Sequence, residues 1–238
     1  MNGVIAIVAI VGLLLVAGAA IGLCQRRAFS ARWLGVAAAL VLLNDLLLTR
    51  AYGLIPSLLP DSDWNWEGKL LALIATLAIA AHPAFGWRRV GLTLRQQPGS
   101  LRAAIAVAIL YCAFFLALAV AFPSDPVSPE AIAFQLTMPG FEEESFYRGT
   151  LLFALAQAFT ARIRFLGVDW SWGALLSCAL FGMAHAFGYS DGTFSFDPII
   201  MALTAVPSLL AVWLVLRTRS LLLPVILHNF GNAIGWLL

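Results

Sequence analysis

The stretch PGFEEESFYRGTLLFAL, residues 139–155, places three glutamates and one arginine in a chain that is otherwise apolar. It predicts a helix that opens after the Pro-Gly pair, with Glu144 and Arg148 four residues apart on one face in the acid-first order that favours pairing. Glu143 then points about a third of a turn away. A charged residue at the bilayer centre costs roughly 2.5–3.5 kcal/mol, so such a cluster must pair, line water or perform chemistry. The alternative is a water-facing helix start, because acids favour helix N-termini.

Composition indicates the class of protein. Of the 238 residues, 62% are hydrophobic and 11% are charged, and the mean hydropathy is +0.93. These values exclude a soluble domain and predict an all-α, polytopic transmembrane helix bundle that forms a single integral membrane domain over residues 1–238. The net charge of +2 is small and the basic residues fall in short loops, so no nucleic-acid partner is expected. The cysteines are isolated and predict neither a disulfide framework nor a thiolate metal site.

The apolar runs predict about eight spanning helices, since one span needs about 20 residues. The fifth is expected to break at Pro139–Gly140, where irregular backbone is tolerated only if it is buried or wet. Short polar loops are expected between the later spans. The first run has arginines after it and no basic residue before it, so a retained helix is expected instead of a cleaved signal peptide. The runs are residues 3–23, 33–49, 69–82, 103–122, 129–160, 170–187, 199–216 and 221–238.

The distribution of arginine predicts the orientation in the membrane. Eleven arginines lie in alternate loops that include residues 84–102, 161–169 and 217–219, whereas the opposite loops carry only Arg50 and Lys69. The positive-inside rule places the arginine-rich loops in the cytoplasm and both termini outside. Residues 84–102 suit either an amphipathic segment on anionic lipid or a plain connecting loop.

The later spans supply polar partners for the glutamates. Span six contains FGMAH, residues 181–185, and span eight contains HNFGN, residues 228–232. The polar ends of each motif lie four residues apart on a helix and therefore share a face. His82, at a helix end beside a proline, is expected to be a packed polar residue. Asp45 either lines water or pairs with the arginine at the end of its helix.

Two histidines, one asparagine and two glutamates can thus converge inside the bundle. A carboxylate and an imidazole that share a water can make it a nucleophile, and neutral donors can hold the developing oxyanion. This combination is typical of peptide hydrolysis. The sequence has no GxSxG motif, no HExxH motif and no aspartyl-protease spacing, so it gives no support to those mechanisms.

The motifs, in this order and spacing, resemble those of the CPBP intramembrane protease family, which includes the type II CAAX prenyl endopeptidases and many bacterial abortive-infection or bacteriocin-immunity proteins. The resemblance covers residues 139–238, and the FYRG sequence also matches the usual end of the first motif. The extra Glu142 is a minor variation. The matching residues are Glu143, Glu144 and Arg148 (EExxxR), Phe181 and His185 (FxxxH), and His228 and Asn232 (HxxxN).

The resemblance implies a role for each motif residue. Glu143 and His185 would activate the attacking water, His228 and Asn232 would form the oxyanion site, Glu144 and Arg148 would order the cluster, and Phe181 would pack. No cofactor is required with this set of residues, and a glutamate-activated water is the preferred mechanism. A catalytic zinc held by Glu143, His185 and His228 is the alternative, because such a site needs three protein ligands and an open position.

The expected partner is a membrane-associated protein or peptide substrate, which could carry a lipid of the prenylated CAAX type. The protein itself is expected to be multi-pass in the lipid bilayer of a bacterial or archaeal cell. A small transporter would also place acids and histidines in the bundle, but it usually shows internal repeats, and none is found here. A non-enzymatic immunity or scaffold protein of the same fold is the other alternative.

Helix geometry and family resemblance give opposite expectations for the side on which the site opens. Counting from the arginine-rich loops, Glu143 and His185 lie roughly 22–26 Å from the inner surface, in the outer half of a core about 30 Å thick. His228, early in span eight, pulls the site toward the middle. CAAX endopeptidases act on tails presented from the cytosol, whereas the charge asymmetry predicts a site that opens outward.

Overall fold

The computed structural model describes residues 2–54 and 59–238, and it is a bundle of helices with two small hairpins. The prediction of an all-α polytopic membrane bundle is confirmed. In chain order, the elements are α1 (Asn2–Cys24), α2 (Ala31–Thr49), α3 (Trp66–Ala81), α4 (Leu101–Ala121), α5 (Pro129–Gln135), α6 (Met138–Glu143), α7 (Leu152–Ala158), β1 (Ile163–Phe165), β2 (Val168–Trp170), α8 (Trp172–Ala186), β3 (Phe187–Ser190), β4 (Thr193–Phe196), α9 (Pro198–Thr218) and α10 (Leu222–Leu237).

Within these described ranges, four helices are long and apolar enough to cross a membrane alone: α1, α2, α4 and α9. The predicted third, sixth and eighth spans also contain helices, but α3, α8 and α10 have only 15 or 16 residues. At 1.5 Å per residue they extend about 22–24 Å, less than the hydrocarbon thickness of about 30 Å. Polar side chains occupy the ends of two of these helices, Lys69 near the start of α3 and His185 in the last turn of α8.

The fifth predicted span is divided into short pieces, and its break lies earlier than expected. The backbone leaves the helical region at Thr137, between α5 and α6, and not at Pro139–Gly140. A proline is tolerated in the first turn of a helix because its missing N–H would have no partner there. Gly140 lies in the same turn. A glycine fits this position because a Cβ atom would collide with the side chain of Asn229 and the carbonyl of Val225 on α10.

Directly after α6, Glu144–Leu151 forms a π-helical segment that leads into α7. Such i→i+5 segments are rare and are frequently found at functional sites. Together, residues 138–158 form the central strut of the bundle, packed against α2, α3, α8 and α10. Its side chains Leu151 and Leu155 are fully buried.

The connections on either side of α8 are β-hairpins, which corrects the expectation of short polar loops. β1 pairs with β2, and β3 pairs with β4. Each two-residue turn has positive φ at both positions, Leu166–Gly167 and Asp191–Gly192. Two-residue turns with positive φ at both positions match the twist of antiparallel strands and are common in hairpins. The Asp-Gly pair in the sequence is typical of such a turn.

The long helices expose apolar surface where lipid would cover it. In α1 and α4, only 22% and 17% of the most apolar window is buried within the protein. Val16 and Val120 are examples of side chains that remain largely exposed. The inner helices approach more closely, as at Gly182 of α8, where a Cβ atom would press on Met201 of α9. Small residues at such crossings are typical of helix packing in membranes.

Candidate active site

Lys69 links two of the three glutamates in the central strut. Its Nζ lies 2.7 Å from Oε2 of Glu142 and 2.6 Å from Oε1 of Glu143. Glu142 is fully buried, and the other two side chains are only 14% and 13% exposed. One ammonium group between two carboxylates compensates charges that would be strongly destabilising if left unpaired out of water. The buried side chain of Asn44 on α2 adjoins Glu142.

The prediction that Lys69 is a loop charge is wrong, since it lies in α3, and Glu142, expected to be a minor variation, is its buried partner. A signal was present, since Lys69 is the only lysine in the chain and it opens an apolar run. Asp45 was the other polar residue expected to line water or to form a pair. That residue is half-buried, and its neighbour Asn44 is the one that adjoins the carboxylates.

Glu144 and Arg148 form the ion pair that their spacing predicted. Nη1 of Arg148 lies 3.1 Å from Oε1 of Glu144, and both side chains are almost completely buried. The same oxygen lies 2.7 Å from Nδ1 of His228 on α10. This contact turns Nε2 of His228 toward Glu143, whose Oε2 is 3.6 Å away.

His185 reaches Glu143 from the end of α8. Its Nδ1 lies 2.8 Å from the backbone carbonyl of Phe181. A carbonyl only accepts hydrogen bonds, so Nδ1 carries the proton and the neutral ring presents a lone pair at Nε2. That Nε2 is 3.9 Å from Oε2 of Glu143. The separation is too long for a direct hydrogen bond and suits a bridging water.

Oε2 of Glu143 is therefore the meeting point of the site. It is buried and has no hydrogen-bond partner within the described part of the chain. Buried carboxylate oxygens are normally satisfied, so an orphan oxygen calls for an unseen partner. Two imidazole nitrogens, from His185 and His228, face the same atom.

Phe181 packs at the centre of this cluster. The guanidinium carbon of Arg148 lies 4.0 Å from the centroid of its ring, a close cation–π contact. The imidazole of His185 lies 4.6 Å away and that of His228 lies 6.0 Å away, centroid to centroid. The ring thus separates and supports the charged groups without contributing a reactive atom.

Asn232 stands apart from the other motif residues. It is exposed, and its Nδ2 donates a 3.0 Å hydrogen bond to Oε1 of Gln135 on α5. It nevertheless lines the same cavity of about 240 Å³ as His185 and His228. Most of the remaining wall is apolar, from side chains of α4, α9 and α10 that include Tyr111. The structure therefore places Asn232 and the partly exposed His185 at the rim, and the other motif residues together in the interior.

The side chains proposed for zinc do not fit a metal site as they stand. Within the described residues, no group of three or more His, Cys, Asp and Glu side chains could hold a metal ion. Lys69 also places a positive charge on Oε1 of Glu143. No reaction step is therefore assigned to a metal.

His82 lies outside the site, where its ring accepts a hydrogen bond from the backbone N–H of Ala84.

Comparison with known proteins agrees with the motifs. Residues 125–234 match the family described as Type II CAAX prenyl endopeptidase Rce1-like. The match starts ahead of residue 139, so it includes α5 with Gln135. No curated protein and no solved structure gives a significant match. The chain is therefore an integral membrane protein whose residues 125–234 are similar to the Rce1-like family of type II CAAX prenyl endopeptidases, the family that its three motifs resemble.

Proposed function

We propose that this protein is an intramembrane endopeptidase in which Glu143 activates a water to hydrolyse a peptide bond of a membrane-associated protein. The observation that carries the proposal is the orphan Oε2 of Glu143, which faces Nε2 of His228 at 3.6 Å and Nε2 of His185 at 3.9 Å. A water in this gap would donate one proton to the carboxylate and the other to the lone pair of His185.

In the first step, Glu143 takes a proton from this water while the oxygen of the water attacks the carbonyl carbon of the substrate. The carbonyl π bond becomes an oxyanion. In the second step, the tetrahedral intermediate collapses, the C–N bond breaks, and the proton on Glu143 passes to the leaving amine. Lys69 binds only Oε1, so it fixes the carboxylate while leaving Oε2 available for this chemistry.

Two donors are available for the oxyanion. His228 can donate from Nε2 when that atom carries a proton, and Glu144 holds the ring in position through Nδ1. The amide nitrogen of Asn232 has two protons, of which Gln135 accepts one. The second remains for the substrate, which would enter through the cavity that Asn232 lines. Removal of one such donor typically costs 10²–10³ in kcat.

Zinc is the alternative to this mechanism, and metal analysis decides between them. We expect a preparation stripped of tightly bound metal to keep its activity, because every step above uses side chains alone. Loss of cleavage on stripping, with recovery on adding equimolar zinc, would replace the glutamate mechanism by a metal-dependent one.

The substrate class follows from the cavity and the family. The largely apolar walls of the cavity that Asn232 lines, formed by α4, α9 and α10, suit an apolar or lipidated segment. A prenylated CAAX-type tail is one such substrate, and an unmodified membrane peptide is another. Cleavage of matched peptides with and without the lipid distinguishes them.

We further propose that the site opens on the outer side of the membrane. Lys69 lies twelve residues from the end of α3 that leads into the arginine-rich loop, a distance of about 18 Å along the helix. His185 is similarly far from the start of α8, beside the exposed β3–β4 hairpin. In a cysteine-free background, an impermeant thiol reagent applied outside should label Ser190→Cys and not Gln97→Cys. The reverse labelling would overturn this orientation.

The function itself is tested by comparing the membrane proteomes of cells that carry the wild type or Glu143→Ala. A protease produces new peptide termini that disappear in the variant, whereas a transporter or a scaffold produces none. Asp169→Asn is a suitable control, because it removes an exposed carboxylate from the β1–β2 hairpin, outside the bundle. Identical termini in all three samples would contradict proteolysis.

A further inference from the structure

A second cavity, of about 380 Å³, lies between the loop that follows α3, helix α7 and the end of α9. We call it the arginine cavity, because every charged residue among those that line it is an arginine. The rest of its wall is mostly apolar, with Phe153 and Leu216 among the lining residues. The five arginines are Arg88, Arg89, Arg148, Arg162 and Arg219.

Contacts other than ion pairs hold two of these arginines in place. The guanidinium of Arg89 lies 5.6 Å from the centroid of the Phe153 ring and also donates to the carbonyl of Pro83. Arg162 donates to the carbonyls of Ala156 and Phe159 at the end of α7. Within the described residues, both guanidinium groups are thus positioned without forming an ion pair.

Arg148 is a wall of this cavity as well as a member of the active site. Its side chain is 2% exposed, and its Nε and Nη1 have no hydrogen-bond partner within the described residues. A guanidinium this deeply buried normally satisfies its donors, because each unsatisfied donor carries a desolvation penalty. Glu144 offsets the charge of Arg148 but leaves these donors unused.

Arg162 and Arg219 repel each other. Partial burial lowers the pKa of Arg162, Asp169 raises it, and the neighbouring charge of Arg219 lowers it again. Arg88 and Arg219 make no ion pair or side-chain hydrogen bond within the described ranges. Several like charges around a small cavity are destabilising unless an anion binds between them.

We propose that the arginine cavity binds a phosphate group, either the headgroup phosphate of an anionic phospholipid or a free phosphate ion. Guanidinium groups bind phosphate in a bidentate manner, and they do so better than ammonium groups. Four of the five arginines come from the loops that the positive-inside rule places at the cytoplasmic surface, where anionic headgroups are abundant. The apolar part of the wall can accept the beginning of an acyl chain.

The test compares two charge-matched double variants. Arg88→Gln/Arg219→Gln removes two exposed guanidiniums of the cavity and no hydrogen bond of the described fold. Arg26→Gln/Arg27→Gln removes two charges from the loop after α1, which lines a different surface. Both variants lower the net charge equally, so a general loss of electrostatic attraction would affect them alike.

Thermal unfolding of the purified protein in neutral detergent is measured while phosphatidylglycerol, phosphatidylcholine or inorganic phosphate is added. We expect phosphatidylglycerol or phosphate to raise the melting temperature of the wild type, with at least tenfold weaker binding to Arg88→Gln/Arg219→Gln and no change for Arg26→Gln/Arg27→Gln. Stabilisation by the lipid alone assigns the headgroup, and stabilisation by inorganic phosphate assigns the free ion as sufficient.

The proposal is overturned if neither ligand stabilises the wild type, or if both double variants lose binding to the same extent. Native mass spectrometry supplies a second measurement should a variant melt too early, because a retained lipid adduct on Arg88→Gln/Arg219→Gln would also contradict the site. None of these measurements uses proteolysis, so the result does not depend on the proposed enzyme activity.

Discussion

The active-site cluster and the arginine cavity are both charged regions within an apolar bundle, and they balance their charge differently. In the active site, Glu142, Glu143 and Glu144 are opposed by Lys69 and Arg148 at distances of 2.6–3.1 Å. In the arginine cavity, no opposing carboxylate is among the lining residues. The difference indicates that the carboxylates of the first region are paired with cations of the protein itself, whereas the proposal for the second region supplies the opposing charge from a bound anion. Three sets of variants test the roles of the charged side chains in the candidate active site.

Replacement of the proposed base should have the largest effect. Glu143→Gln keeps the shape of the side chain but cannot take a proton from water, so we expect cleavage to fall by about 10²–10⁴. Folding and membrane insertion should be retained, since a neutral amide is tolerated beside Lys69. Cleavage above about a tenth of the wild-type rate would remove Glu143 from the role of general base.

Removal of the only lysine should show that its ion pairs with Glu142 and Glu143 stabilise the fold, in addition to their proposed role in catalysis. Lys69→Met leaves two buried carboxylates without their cation, which typically costs about 3–5 kcal/mol. We therefore expect a clear loss of thermal stability, with Lys69→Arg as the control that keeps the charge.

Adding Glu142→Gln to Lys69→Met should restore part of the stability, because one uncompensated carboxylate is then gone. Melting of Lys69→Met at the wild-type temperature would show that the ion pairs seen at Lys69 are not needed for the fold. It would also weaken the distinction between the two charged regions.

The third variant set concerns the pair next to Phe181, and its expected effect is smaller. The single reversals Glu144→Arg and Arg148→Glu each replace an opposite-charge contact of 3.1 Å by a pair of like charges. The double reversal should recover about 0.5–3 kcal/mol relative to the sum of the singles. Strictly additive losses in thermal melts would mean that the two side chains do not act as a pair.

Local sequence rules predicted much of the site. Residues four apart on a helix share a face, and this rule alone brought Glu144 to Arg148 and Phe181 to His185. The convergence of the three motifs was an inference from charge compensation, and the structure brings all of the motif residues except Asn232 into one cluster around Glu143 and Phe181. The roles assigned to these residues stay predictions until they are measured.

The features that sequence missed depend on contacts between distant segments. Lys69 precedes Glu143 by 74 positions, and Gln135 precedes Asn232 by 97. No periodicity connects residues so far apart, and the packing of α3 and α10 against the central strut decides which of them meet. The arginine cavity is missed for the same reason, because four of its arginines are scattered over several loops and were counted only for topology, whereas Arg148 was assigned to the first motif.

The sequence by itself determined the membrane class, the family resemblance and the residues of the motifs, because hydropathy and helical spacing are local properties that tertiary context seldom reverses. Only the tertiary structure decided that Lys69 pairs with Glu142 and Glu143, that Asn232 bonds to Gln135 at the rim of the cavity, and that five arginines surround one cavity. The physical reason is that charge compensation in an apolar bundle depends on distances of a few ångströms between helices, and those distances follow from packing rather than from order along the chain.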